Sequence, residues 1–230
     1  MHKGYDTGFY LAKGFRVVAV EANPVLVEQA RSRFAREIAD GQLVIEAVGV
    51  GEKPGMATFY RNLDKDDWSS FLREYGARDG TRFEEIPVEC VRPQTLFERH
   101  GLPYYLKIDI EGLDIPVVRA LHDFGARPRF VSVEERHGSH FAELWAVGCR
   151  RFKVVDQSKL SEVRSPQPAR EGRYVPASFT GESSGLFGEE LPGQWMGFDE
   201  CLEHYLNEIR SPTRGYLAGG SWFDIHGAID

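Results

Sequence analysis

The chain has 230 residues, 42% of them apolar and 12% aromatic, enough for one domain with a sizeable core and too hydrophobic for a disordered chain. A formal net charge of -7 argues against a nucleic-acid backbone as the main partner, because phosphate binding calls for a basic face, although a local basic pocket stays compatible with it. Cys90, Cys149 and Cys201 are too few and too widely spaced for a disulfide framework or a zinc knuckle, and no apolar run approaches the roughly 20 residues of a membrane helix.

The cysteines read as buried free thiols of a reducing cytosol. The opening "MHKGYDTGFY" lacks the apolar core of a signal peptide. A cytoplasmic protein without a membrane partner is therefore expected.

In chain order, "HKGYDTG" reads as a glycine turn of the kind that lets backbone approach a ligand, with Asp6 and Thr7 as hydrogen-bonding groups beside Gly4. It is neither G-x-G-x-x-G nor a nucleotide-triphosphate loop. "FRVVAVEA" is a near-continuous apolar run, as expected of a strand covered on both faces. Asn23 and Pro24 then start a helix, by capping and by a fixed first turn. Leu26, Val27, Ala30, Phe34 and Ile38 continue it to Gly41. "QLVIEAVGV" is a second buried strand, so this region reads as a parallel strand–helix–strand crossover.

Residues 52–92 are an excursion, with short strands at "MATFYRN" and "IPVECV" and a polar loop at "DKDDWSSF". "QTLFERHG" is a short helix. Three strands follow at "LPYYLKIDIEG", "PRFVSVEE" and "RFKVVDQ", separated by helices over 114–124 and over "SHFAELWAVGC". Phe141, Leu144, Trp145 and Val147 form the apolar side of the second helix. Residues 158–196, rich in Pro, Gly and Ser, are an insertion or lid. "FDECLEHYLNEI" is a helix with Phe198, Leu202, Tyr205, Leu206 and Ile209 on one stripe, and "SWFDIHG" is a last strand.

Ligands of open parallel sheets bind outside the carboxyl ends of the strands. Those ends carry Glu21 and Asn23, then Asp109 and Glu111, then Glu134, Glu135 and His137. Glu21, 17 positions after Gly4, suits a carboxylate that accepts both hydroxyls of a ribose; a solvated strand-end acid is the plainer alternative. Asp109 and Glu111 suit proton transfer or a divalent cation, or simply order their loop. His137 and His140 have a metal-pair spacing, but no further ligand supports it, and a polar loop with a helix cap is the preferred reading. His226 reads as a core histidine.

"GFRVVAVEANP", the "AVGV" after the next strand, and "LKIDIEGLDIPVVRAL" resemble the FkbM family of S-adenosylmethionine-dependent methyltransferases, over roughly residues 1–135. That resemblance implies an α/β, Rossmann-like class I methyltransferase sheet of seven strands, with helices on both faces and the last strand antiparallel. It implies O-methylation of hydroxyls on sugars or natural products. It places Gly4 beside the methionine part of the cofactor, Glu21 on the ribose, Ala47 and Val48 near the adenine, and Asp109 and Glu111 near the sulfonium and the acceptor. His137 is the first choice for the base and Asp109 the second. Members carry a strand and an Asp-x-Gly-type turn just before the segment matching "HKGYDTGFY". The first strand of the sheet is therefore expected to be missing from this chain, which reads as a single, N-terminally incomplete methyltransferase domain over 1–230. The rival readings are an NAD-dependent oxidoreductase, which shares the strand–turn–helix and the ribose acid, and a truncated, inactive binding module.

Overall fold

The computed structural model describes residues 1–125, 127–211, 215–217 and 221–229. The chain divides into two compact units. The first contains residues 1–101 and 110–117; the second contains 102–109 and 118–230.

In the first unit the segment read as a turn is mostly helical. Gly4 caps α1 (Tyr5–Ala12) in the left-handed conformation, φ 76°. A side chain at Gly4 is excluded twice over. Its φ favours glycine, and a Cβ would lie 2.8 Å from the Phe34 ring. β1 (Val17–Val20) pairs in parallel with β2 (Leu43–Glu46), Val17 opposite Leu43 and Val20 opposite Glu46. Contrary to a strand covered on both faces, Val18 is 37% exposed, while Ala19 is buried. Between the strands, the single helix expected from periodicity is two: α2 (Pro24–Arg33) and α3 (Ala35–Ala39). Phe34, at φ -110° and ψ 27°, breaks the helix, and its ring packs into a core with Leu11, Ala19, Ala30 and Leu43.

A second sheet of this unit holds β3 (Gly49–Val50), β4 (Gly55–Asn62) and β5 (Phe83–Val91), in the order β3-β5-β4. β4 and β5 form a long antiparallel ladder from Gly55–Cys90 to Asn62–Phe83. The polar stretch between them is not a plain loop. It contains a 3-10 turn, Asp66–Trp68, and a one-turn helix α4 (Arg73–Gly76). Buried Asn62 organises it: Nδ2 donates to Gly76 O and Thr81 Oγ1, and Oδ1 accepts from the backbone N–H groups of Asp64 and Lys65. α5 (Pro93–His100) follows, with Pro93 in its first turn and Phe97 buried.

The second unit is built on β6 (Tyr105–Ile108), β7 (Phe130–Glu134), β8 (Arg151–Asp156) and β11 (Phe223–Ala228), in the order β6-β7-β11-β8. β6 and β7 are parallel; β11 is antiparallel to both of its neighbours. All six β11 residues are buried. Gly227 is required there, since a Cβ would meet Cys149 Sγ at 2.5 Å. Lys107, Ser132, His226 and Lys153 stand in one cross-strand row through all four strands. The residues of α6 (Asp114–Phe124) are divided between the two units.

α7 (Ser139–Ala146) buries Phe141 and Leu144, but Trp145, expected on the apolar side, is 43% exposed and carries the Arg150 guanidinium 4.0 Å from its ring centre. The 158–196 segment contains 3-10 turns and, at Met196, an isolated antiparallel bridge to Phe152, and it is firmly attached. Phe187 stacks on Tyr105 with ring centres 4.5 Å apart, and Lys153 Nζ donates to the carbonyls of Leu191 and Gly193, both at 2.8 Å. The helix expected over 198–209 is α8 (Phe198–His204) followed by a π-helical turn, Tyr205–Ile209. That turn aims Tyr205 inward and leaves Leu206 exposed. A small antiparallel pair, β9 (Arg210–Ser211) and β10 (Gly215–Tyr216), completes this unit. The three cysteines are free and buried, as expected, and burial pushes the thiols of Cys149 and Cys201 up to about 12. No described helix is long and apolar enough to cross a membrane.

Candidate cofactor and catalytic site

Eight of the residues singled out by sequence belong to the first unit: Gly4, Asp6, Thr7, Glu21, Asn23, Ala47, Val48 and Glu111. Asp109 and His137 belong to the second.

Glu21 follows β1, and its backbone N–H donates to Glu46 O. Its carboxylate is held by main chain. Oε1 accepts from Asn23 N at 2.8 Å, and Oε2 accepts from His2 N at 2.8 Å and Met1 N at 3.2 Å. A carboxylate offers about four acceptor positions, so these bonds fix the group at the strand end and leave about one position for a ligand hydroxyl. A ribose held through both hydroxyls requires one backbone partner to give way. Asn23 is committed to structure: Oδ1 accepts from Val25 N at 3.0 Å and caps α2, as its place before Pro24 predicts. Thr7 is buried in the first turns of α1 and Asp6 is half-buried. Ala47 is exposed just beyond β2, and Val48 turns inward towards β3.

Glu111 is the most constrained of the set. It is a non-glycine residue at φ 52°, a region that costs energy unless the surroundings impose it. The surroundings do so. Ser70 Oγ donates to Glu111 O at 2.9 Å, Arg78 Nη1 donates to Oε2 at 3.1 Å, and Asp114 takes Ile110 N and Gly112 N on its two oxygens. Gly112, at φ 99°, packs so closely on Tyr75 and Leu72 that a Cβ would meet them at 2.9 and 3.0 Å.

Ser70 comes from the stretch "DKDDWSSF", which the sequence offered only as a polar loop, and Tyr75 and Arg78 come from the part of the 52–92 excursion that follows it. The same excursion reaches the start of α1. Asp66 Oδ1 lies 3.0 Å from His2 Nε2 and 3.6 Å from Lys3 Nζ. Burial alone raises the Asp66 carboxyl, but His2 and Lys3 more than offset this and hold it below the usual range.

In the second unit β6 and β7 are adjacent and parallel, so Asp109 and the 134–137 segment leave the same edge of the sheet. Asp109 is 46% exposed and pairs with Lys107 Nζ at 2.9 Å. The Lys107 ammonium holds its carboxyl below the usual range, which makes Asp109 a weak proton acceptor. His137 is exposed. His140 is buried and its imidazole is pushed down, chiefly by burial; the two rings are 6.3 Å apart and nearly perpendicular.

Beside them lies a group the sequence showed only as one acid of a rim. The Glu135 side chain, wholly buried, accepts hydrogen bonds from the Tyr205 hydroxyl, from Tyr216 at 2.6 Å, and from Arg210 through both oxygens at 3.2 Å. Burial, and then the bond to Glu135, raises both tyrosines well above their ordinary value. Tyr205, Arg210 and Tyr216 thereby fasten the segment after α8 to the end of β7.

Compared with known families, residues 1–164 match the methyltransferase FkbM domain. The chain belongs to the FkbM methyltransferase family. The FkbM match spans every candidate from Gly4 to His137 and ends inside the 158–196 segment. Neither a curated protein nor a solved structure shows significant similarity to the chain. FkbM membership supports methyl transfer as the activity, and the mixed α/β architecture is consistent with such a domain.

Proposed function

We propose that this FkbM protein transfers the methyl group of S-adenosylmethionine to a hydroxyl oxygen of a small-molecule or carbohydrate acceptor. The observation that carries this reading is the FkbM match across the whole segment bearing the strand-end acids. The fold assigned with it is a Rossmann-like class I methyltransferase sheet. The parallel β1–β2 pair and the antiparallel β11 between β7 and β8 support that assignment.

The donor set fits a cationic nucleoside. In the first unit, Glu21 offers a carboxylate towards the ribose and Glu111 one towards positive charge. When bound, the cofactor supplies an electrophilic methyl on a sulfonium. The chain's share of the work is alignment, which contributes roughly 7–11 kcal/mol when reacting atoms are well placed. A hydroxyl acceptor must also lose a proton. His137 suits that task better than Asp109, because Lys107 holds the Asp109 carboxyl low and weakens it as a base.

Calorimetry with S-adenosylmethionine and with NAD, run side by side on the full chain, tests the reading. Binding of S-adenosylmethionine alone is expected. Binding of NAD alone would replace it with a dehydrogenase.

A further inference from the structure

We infer that the row Lys107, Ser132, His226 and Lys153, across the sheet of the second unit, is a binding site for an oxyanionic group, a carboxylate or a phosphate, of a small-molecule ligand. The row lies wholly within that unit and owes nothing to the methyl-transfer reading.

The four residues are cross-strand neighbours in β6, β7, β11 and β8. Side chains of a strand alternate between faces, so the row lies opposite Ile108, Val131, Val133, Ile225 and Phe152, all of them buried. One face of this sheet is therefore an apolar core. The other carries two ammonium groups, a hydroxyl and an imidazole, and yet Ser132 and His226 are each 1% exposed and Lys153 is 4% exposed.

His226 decides the ligand class. Its Nε2 makes no hydrogen bond among the described residues, a costly state for a buried polar atom. Burial, and then the Lys107 and Lys153 ammonium groups, push its imidazole down, so the potential at the ring is positive. A neutral imidazole with its proton on Nε2 is a donor. A neutral acceptor would satisfy the donor alone; an oxyanion satisfies the donor and offsets the potential.

The neighbours complete the site. Tyr105 Oη and Ser132 Oγ lie 2.6 Å apart; when the phenol donates, the serine proton turns to the row. Lys153 Nζ donates to the carbonyl oxygens of Leu191 and Gly193, both at 2.8 Å, which stand where ligand oxygens would. Those oxygens carry no net charge, so an oxyanion exchanges with them favourably. Glu189 attracts Lys153, but its carboxylate is taken up by Trp195 Nε1 at 3.1 Å and by Arg151 at 3.4 Å. Lys107 is paired with Asp109 at 2.9 Å and acts on the row through its charge.

The test uses the full chain with isotope-labelled histidine. Inorganic phosphate and acetate are titrated separately, each against sodium chloride at matched ionic strength, and followed by the ring-nitrogen signals of His226 and by calorimetry. A saturable shift of His226 Nε2 is expected with at least one oxyanion, together with faster amide exchange at 191–193 as the two carbonyls are displaced. A response to phosphate alone would assign a phosphate-bearing ligand, and to acetate alone a carboxylate-bearing one. Lys153→Met and His226→Phe should each weaken the anion about tenfold, the scale of one charge-assisted hydrogen bond, with thermal melts to check that both variants fold. An equal shift in chloride would reduce the effect to screening and overturn the site. So would an unmoved His226 signal in the wild type, or wild-type affinity in both variants.

Discussion

His226 should make the second unit acid-sensitive. The residue sits in β11, is 1% exposed, and shares its cross-strand row with Lys107 and Lys153. Its Nε2 has no hydrogen-bond partner among the described residues. Burial, and then the two ammonium groups, push the imidazole down to about 3. In the unfolded chain it titrates near 6.5. As pH falls below that value the unfolded chain takes up a proton that the folded chain refuses. The stabilisation is therefore complete above about pH 6.5 and is lost progressively towards pH 3. Two units below the unfolded value, at about pH 4.5, the loss is about 2.7 kcal/mol, a large share of the 5–15 kcal/mol of a typical domain. Other groups titrate in the same range, so the comparison needs a variant. Urea unfolding of wild type and His226→Gln at about pH 7 and about pH 4.5, followed by tryptophan fluorescence, isolates the histidine. Trp145, Trp195 and Trp222 all report on this unit. Wild type should lose about 2–3 kcal/mol more than the variant on acidification. Equal losses would mean that the ring is protonated in the folded protein, and the argument would fail.

Glu21→Ala should weaken S-adenosylmethionine at least tenfold, since each charge-assisted hydrogen bond lost costs up to roughly 1.5–3 kcal/mol; unchanged affinity in calorimetry would remove Glu21 from the ribose. With an acceptor in hand, His137→Asn should slow methyl transfer by about 10²–10⁴, whereas Asp109→Asn should do much less. Turnover at wild-type level across pH in both variants would place the base elsewhere. Lys153, 4% exposed and with its ammonium pushed down to about 8 by burial, releases its proton in the folded state before the unfolded chain does. Stability should then rise between about pH 8 and about pH 10.5, by up to roughly 3 kcal/mol, and the rise should vanish in Lys153→Met; melts at both ends of that window measure it.

The elements most legible in the sequence were those with short-range signals. Apolar runs marked β1, β2, β7, β8 and β11, and Asn23 with Pro24 marked the start of α2. Less legible were features decided by packing. The segment YDTGFYLA carries Gly8 and Thr7, poor helix formers, yet it forms α1 against Phe34, the residue whose own conformation splits α2 from α3. Tyr205 is drawn inward by Glu135 through a π-helical turn that no 3.6-residue pattern announces. The site follows the same division. Strand-end acids were visible because strands were visible. The groups that hold them were not: Arg78 and Ser70 lie 33 and 41 positions from Glu111, and Arg210 and Tyr216 lie 75 and 81 positions from Glu135. Pairing at such separations leaves no periodic trace in the residues between.

The place of β11 in its sheet has a consequence for synthesis on the ribosome. β7 and β8 are translated early; β7 pairs with β6 on one edge, but its other edge and the facing edge of β8 are covered only by residues 223–228. A nascent chain shorter than this leaves the two strand edges that β11 covers without that partner, a template for pairing with other chains. The first unit is under no such delay, since its last residues are 110–117. Ribosome-bound chains halted before Phe223 should therefore present a protease-resistant first unit attached to a chaperone-dependent second one.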